Sequence, residues 1–112
     1  TLDKIPAART QRIPRRLRHF DIETRIDFSQ DNANHRTVLH LETADRPGLL
    51  ALIGLVFSEC GLRLMTAKVA TIGEQVDDSF YMLDRHDNQI TDKGLQEKIR
   101  ERLLGYLETA YE

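Results

Sequence analysis

Apolar and polar residues alternate strictly through "FDIETRIDF": Phe20, Ile22, Thr24, Ile26 and Phe28 fall on one side, and Asp21, Glu23, Arg25 and Asp27 on the other. A period of two predicts a strand with one buried face. "SQDNANH" follows and predicts a polar loop built from Asx-turn residues. "RTVLHLET" predicts a second strand, with Leu39 and Leu41 on one face and His40 and Glu42 opposite. The pattern then becomes almost continuously apolar from Gly48 to Phe57, which predicts a helix from about Pro47 to Cys60. Pro47 suits the first turn, where its missing N–H would have no partner. Asp45 is the expected cap, and Gly61 is a left-handed terminator.

"LRLMTAKVATIGEQVDDSFYMLD" predicts a hairpin whose two-residue turn, Gly73-Glu74, needs positive φ at its first position. That turn pairs Thr71 with Val76, Val69 with Asp78, Ala67 with Phe80 and Met65 with Met82. Met65, Ala67, Val69, Val76, Phe80 and Met82 then form a core face, against Thr66, Lys68, Ala70, Asp77, Ser79 and Tyr81. Asp78 falls on the apolar phase and requires a polar partner or an edge position. Thr91 or Asp92 caps a last helix that carries Leu95, Ile99, Leu103 and Tyr106 at helical spacing. The order strand, strand, helix, strand, strand, helix predicts an α+β two-layer sandwich, with both helices on one face of an antiparallel sheet. A complete ferredoxin-like unit would add a final edge strand beside Thr37 to Thr43. The strand at Phe20 to Phe28 is expected to replace it from the N-terminal side.

Composition adds bounds. The chain has 112 residues, 40% hydrophobic and 30% charged, as in one soluble domain. Its longest apolar run is of core-helix length, short of the roughly 18 to 20 residues that span a bilayer. The start, with Asp3 and Lys4, has no leader-like apolar stretch. Cys60, the single cysteine, gives no reason to expect an oxidising compartment, so a cytoplasmic location is expected. The net charge of −2 favours no polyanion. Arg9, Arg12, Arg15, Arg16 and Arg18 nevertheless crowd the start of the chain, with Pro6 and Pro14 among them. We read residues 1–18 as a basic linker and 19–112 as the domain; contact with nucleic acid or an acidic surface is the alternative.

The corner in "TADRPGLLALIG" is the candidate site. A helix start offers unpaired N–H groups and about half a positive charge, and Gly48 lets a small molecule approach the backbone. The plain reading is a tight strand-to-helix turn with Asp45 satisfying those donors. An amino acid suits the corner better than a bare anion, because Asp45 repels the anion and attracts the ammonium.

At these residues the chain resembles a known family. "DRPGLLALIGLVFSECGLRLMTAKVATIGEQVDDSFYMLD" is similar to an ACT domain, a small-molecule-sensing module. With "RHFDIETRIDF" and "HRTVLHLETADRPGLL" it resembles the carboxy-terminal ACT domain of the PII uridylyltransferase/uridylyl-removing family, over about Arg18 to Glu108. The resemblance implies a glutamine sensor in an enzyme that modifies the nitrogen-signalling protein PII. It places the catalytic nucleotidyltransferase and metal-dependent phosphohydrolase parts upstream of tandem ACT domains. Magnesium or another divalent metal is implied for those parts, and no cofactor for this segment. Carried over by position, the ligand loop is Asp45, Arg46, Pro47, Gly48, Leu49 and Leu50, closed by Thr66, Ala67 and Lys68 of a neighbouring ACT copy, tandem or homodimeric. Arg46, an arginine in a turn, is expected to point to solvent rather than to the ligand. Leu52 and Leu55, off the core phase of the helix, are expected at the contact with that copy.

Other chemistry is sparse. His19, His35, His40 and His86 show no zinc spacing. His86-Asp87 sits in a polar turn, and Cys60 lacks a base partner and reads as a structural thiol. No catalytic residue set converges, so this segment is not expected to be an enzyme. The alternatives are an ACT domain of another amino-acid-controlled enzyme or an RNA-binding ferredoxin-like module. Against the latter, only Tyr81 is placed to stack a base on the open face. Neither nucleic acid nor membrane is an expected partner.

Overall fold

The structure is a computed structural model that describes residues 22–109. The basic stretch read as a linker lies outside the described residues, as do Phe20 and Asp21. Five antiparallel strands, β1 (Arg25–Asp31), β2 (Arg36–Ala44), β3 (Arg63–Lys68), β4 (Thr71–Ile72) and β5 (Gln75–Leu83), form one sheet. Helices α1 (Leu49–Glu59) and α2 (Lys93–Thr109) pack on it. The order across the sheet is β1-β2-β5-β3, with β4 continuing along β5. This is an α+β sandwich compatible with a ferredoxin-like arrangement. Its outer strand beside β2 comes from the N-terminal side, as the element order predicts.

Periodicity accounts for the core. Ile26, Leu39, Leu41, Val76, Phe80 and Met82 point toward the helices, and Ile53, Val56, Phe57, Ile99 and Leu103 meet them. Phe57 and Phe80 touch edge to face, with ring centroids 5.4 Å apart. The end of α1 follows from Gly61 at φ +72. Its N–H donates to Ser58 O at 3.1 Å and the Leu62 N–H to Phe57 O at 2.9 Å, a Schellman closure. At α2, the Asp92 carboxylate accepts the Gly94 N–H at 2.9 Å.

Four expectations need correction. First, β1 begins at Arg25 and continues through Ser29, Gln30 and Asp31, so the loop is only a short 3-10 turn, Asn32–Asn34, ending at His35 with φ +56. Asp31 makes this tight connection possible: its carboxylate accepts from Asn34 Nδ2 at 3.0 Å and Arg36 Nε at 2.9 Å. Second, α1 starts at Leu49 and its N-cap is Gly48; Asp45 does not cap it. The Asp45 N–H instead donates to Glu74 O at 2.8 Å, tying the end of β2 to the β4–β5 turn.

Third, the hairpin register holds at Thr71–Val76 and Ala67–Phe80 but slips between Leu64 and Thr66, so that Leu64, not Met65, faces Met82. A bulged residue leaves the ladder and turns its neighbours. Met65, Ala67 and Val69 are exposed and form no part of the core. Fourth, Leu52 packs against the core and is only partly exposed, while Leu55 is exposed.

Two glycines separate these effects. Gly61 has a left-handed backbone, and an added Cβ would meet the Arg85 guanidinium at 3.0 Å. Gly105 lies within α2, where an added Cβ would meet no atom within 4 Å. Gly61→Ala is expected to lower unfolding free energy by about 1–2 kcal/mol, and Gly105→Ala to raise it by about 0.5–1 kcal/mol. Urea denaturation of both variants gives the two signs.

Candidate ligand-binding site

The corner between β2 and α1 is a type II turn. The Leu49 N–H donates to Arg46 O at 3.3 Å, Pro47 holds the second position, and Gly48 holds the third at φ 76, ψ 8. An L side chain rarely adopts that backbone, although an added Cβ would meet no atom within 4 Å. The glycine therefore answers a conformational demand first. Because the cap is a glycine, no side chain caps the helix. Its first bond runs from the Leu52 N–H to Gly48 O at 3.0 Å. Among the described residues, the N–H groups of Gly48, Leu50 and Ala51 find no acceptor. The positive end of α1 is left bare.

A cavity of about 300 Å³ opens at this end. One wall is Asp45, Arg46, Gly48, Leu49, Leu50 and Ala51, and the other is Val69, Thr71, Val76 and Asp78. Its size lies at the small end of ligand pockets. Asp78 is the residue whose partner the sequence left open. It is 2% exposed, on the helix-facing side of β5 opposite Leu41. Its carboxylate accepts the Ala70 N–H at 3.1 Å, in place of a strand carbonyl, and the ladder opens between β3 and β4. The Ala70 carbonyl still accepts the Asp77 N–H at 2.9 Å. Burial raises the pKa of Asp78, the Ala70 N–H opposes that, and the carboxylates of Asp77 and Asp45 add to the rise.

Arg46 does not point freely into solvent. Its guanidinium donates to Leu107 O at 3.1 Å and Tyr106 O at 3.4 Å, carbonyls in the last turn of α2. A cation is favourable there, at the negative end of a helix, and it fastens the corner to a second element. Thr66, Ala67 and Lys68 lie on β3, outside the cavity wall, on a strand whose outer edge pairs with no strand among the described residues. Within one chain, therefore, the loop residues meet the cavity and these three do not. Val69 and Leu50, 56% and 55% exposed, line the cavity, and Leu64, Met65 and Ile72 extend this apolar margin.

The opposite, helix-free face holds His40, Glu42 and Asp77, whose ligand atoms lie within 4.8 Å of one another. Spacing along the chain did not reveal this group because Asp77 joins it across the ladder, opposite Glu42. His40 is hydrogen-bonded to Asp77, and Arg25 Nε lies 3.7 Å from Glu42, so each member already has a partner. Tyr81 carries the Arg36 guanidinium 4.3 Å above its ring and Lys68 at 5.6 Å, which occupies the aromatic expected to be free for stacking. His86 lies in a turn organised by the Asp84 carboxylate, and Asp87 pairs with Arg63. Cys60 is buried.

The raised pKa of Asp78 carries a sign. Between its ordinary value of 3.8 and its higher folded value, the folded chain holds a proton that the unfolded chain has released. Stability from this group is therefore greatest at low pH and is lost as pH rises through that window. Asp78→Asn removes the dependence and keeps an acceptor for Ala70. Unfolding free energies measured from about pH 4 to pH 7 should show the variant gaining on the native chain as pH rises; parallel profiles would contradict the assignment.

No protein-family model matches the chain, and no solved structure matches it. It is 37% identical over 110 residues to the bifunctional uridylyltransferase/uridylyl-removing enzyme of Pseudomonas fluorescens, covering 98% of this chain and 12% of that enzyme. It is 49% identical over 79 residues to the enzyme so named in Legionella pneumophila, covering 70% of this chain and 9% of the relative. For Psychrobacter sp. the figures are 42% over 97 residues, 87% and 11%. The full-length relatives are thus named as uridylyltransferase/uridylyl-removing enzymes, and the chain spans about one tenth of their length. The chain is a homologue of a segment of the bifunctional uridylyltransferase/uridylyl-removing enzymes.

Proposed function

We propose that this chain is an ACT domain, the amino-acid-sensing regulatory module of a uridylyltransferase/uridylyl-removing enzyme, and that its ligand is glutamine. The observation that carries the reading is the uncapped corner: a cavity of about 300 Å³ lined by Gly48, Leu50 and Ala51, whose N–H groups find no acceptor among the described residues, and by two acidic residues, Asp45 and Asp78. Donors suit a carboxylate, acids suit an ammonium, and the two together suit an amino acid better than a phosphate. The sequence likeness to the named enzymes supports the choice of parent protein.

A second ACT copy, tandem or homodimeric, completes the site in this reading. The exposed apolar margin of β3 and β4 and the free edge of β3 support it, since such surfaces mark contact sites. Thr66, Ala67 and Lys68 of the copy then close the corner, and Leu55 together with the partly exposed Leu52 lies at the contact. The parent enzyme would alter its two opposed activities on the signalling protein PII as glutamine changes, in the cytoplasm. Micromolar to millimolar sensing needs about −8 to −4 kcal/mol of binding free energy. A coupling of about 1–3 kcal/mol would bias the two activities, provided that the ligand binds their conformations unequally.

Gly48 is a poor position for a blocking variant, because its left-handed backbone confounds folding with binding. Ala51 is exposed, lines the cavity and lies in a helix where leucine is tolerated well. Ala51→Leu should weaken glutamine binding at least about tenfold, a loss of about 1.4 kcal/mol, with an unchanged thermal midpoint. Titration calorimetry with glutamine checks it. Equal affinity in the variant, or no heat with the native chain, would contradict the proposal.

A further inference from the structure

Asp78 is a buried acid with an unfilled coordination, and the geometry points to a task for it. We infer that Asp78 receives the α-ammonium of the bound molecule, so that the site takes α-amino acids and rejects the carboxylic and α-keto acids that share their side chains. The inference rests on the proposed amino-acid site and adds the group that selects the class.

Asp78 is 2% exposed and forms part of the cavity wall. An ionised carboxylate can accept about four hydrogen bonds. This one takes a single bond, from the Ala70 N–H to Oδ1, and Oδ2 has no donor among the described residues. Asp45 lines the same cavity and repels it, and Asp77 is its neighbour in the strand. His40 is on the opposite face, bonded to Asp77. Arg46 lines the cavity, but its guanidinium bonds the carbonyls of Tyr106 and Leu107. The first turn of α1 offers no acidic residue, and its cavity-lining side chains Leu49, Leu50 and Ala51 are apolar.

Among the described residues, Asp78 is therefore a carboxylate buried near a second one, with no cation in hydrogen-bond contact and His40 acting on it only across the sheet. Such a group is unfavourable in the ionised form unless a cation joins it. The other wall of the same cavity presents the positive end of a helix. A molecule with an ammonium and a carboxylate on one carbon satisfies both walls together, whereas an acid without the amine satisfies one and is repelled by the other. A primary ammonium also supplies several donors, enough for Oδ2 of Asp78 and for Asp45.

The test titrates the full chain with glutamine and with glutaramic acid, which keeps the carboxylate and side-chain amide but lacks the amine. The native chain should bind glutaramic acid at least about tenfold more weakly than glutamine, the scale of a charged hydrogen bond. Asp78→Asn should lose at least about tenfold in glutamine affinity while its affinity for glutaramic acid stays equal or rises. Carbon-13 detection of the Asp78 carboxyl in the native chain gives a measurement that does not depend on the variant folding: saturating glutamine should lower its pKa. Undiminished glutamine binding by Asp78→Asn, equal binding of both compounds by the native chain, or an unmoved carboxyl would overturn the inference and leave the pocket standing. Failure of the native chain to bind any amino acid would overturn the proposed function and this inference with it.

Discussion

One backbone constraint organises the molecule: the chain must turn from the end of β2 into α1 at the edge of the core, and it does so with Gly48 in the left-handed region at φ 76. A glycine cap supplies no side-chain acceptor, so the helix begins with unanswered donors. Asp45, the nearest acid, is held back by its own N–H, which bonds Glu74 in the β4–β5 turn. Arg46 is drawn the other way, onto carbonyls in the last turn of α2. The turn thus becomes a fixed feature, anchored on both sides, with a positive helix end facing a cavity.

The facing wall is made by the same economy of hydrogen bonds. Asp78 sits on the inner side of β5, where its neighbours Val76 and Phe80 are core residues. It diverts the Ala70 N–H out of the ladder, and residues between β3 and β4 leave regular pairing there. A buried acid, an opened hairpin and a bare helix start therefore meet at one place. Each is unfavourable or neutral for stability when considered alone, and departures of this kind are expected at sites shaped by binding.

Much of this was legible where local rules govern. Alternation from Ile22 to Phe28 and in "RTVLHLET" found β1 and β2, and the Gly73-Glu74 turn gave the inner part of the hairpin register, because neighbouring residues decide both. The element order foretold that β1 would lie beside β2. What escaped depends on distant contacts. Periodicity assigned Met65 and Val69 to a core face, yet both are exposed, because alternation alone does not say how much of a strand's inner face is covered. The bulge next to Thr66 shifts a register that the turn alone would continue. Arg46 reaches carbonyls about sixty positions away in sequence, and no motif announces that. The loop residues Asp45 to Leu50 were legible as a site candidate because proline, glycine and an apolar helix leave few other conformations; the opposing acid was visible only as an anomaly.

Amide nuclear magnetic resonance of the full chain during a glutamine titration tests the central claim most directly, because it reports on the backbone donors themselves. The account predicts that the largest shifts, saturating together, fall on the N–H signals of Gly48, Leu50 and Ala51, with Ala70 following through Asp78. Saturable shifts confined to the helix-free face around Tyr81 and His40, with the three corner amides unmoved, would contradict it.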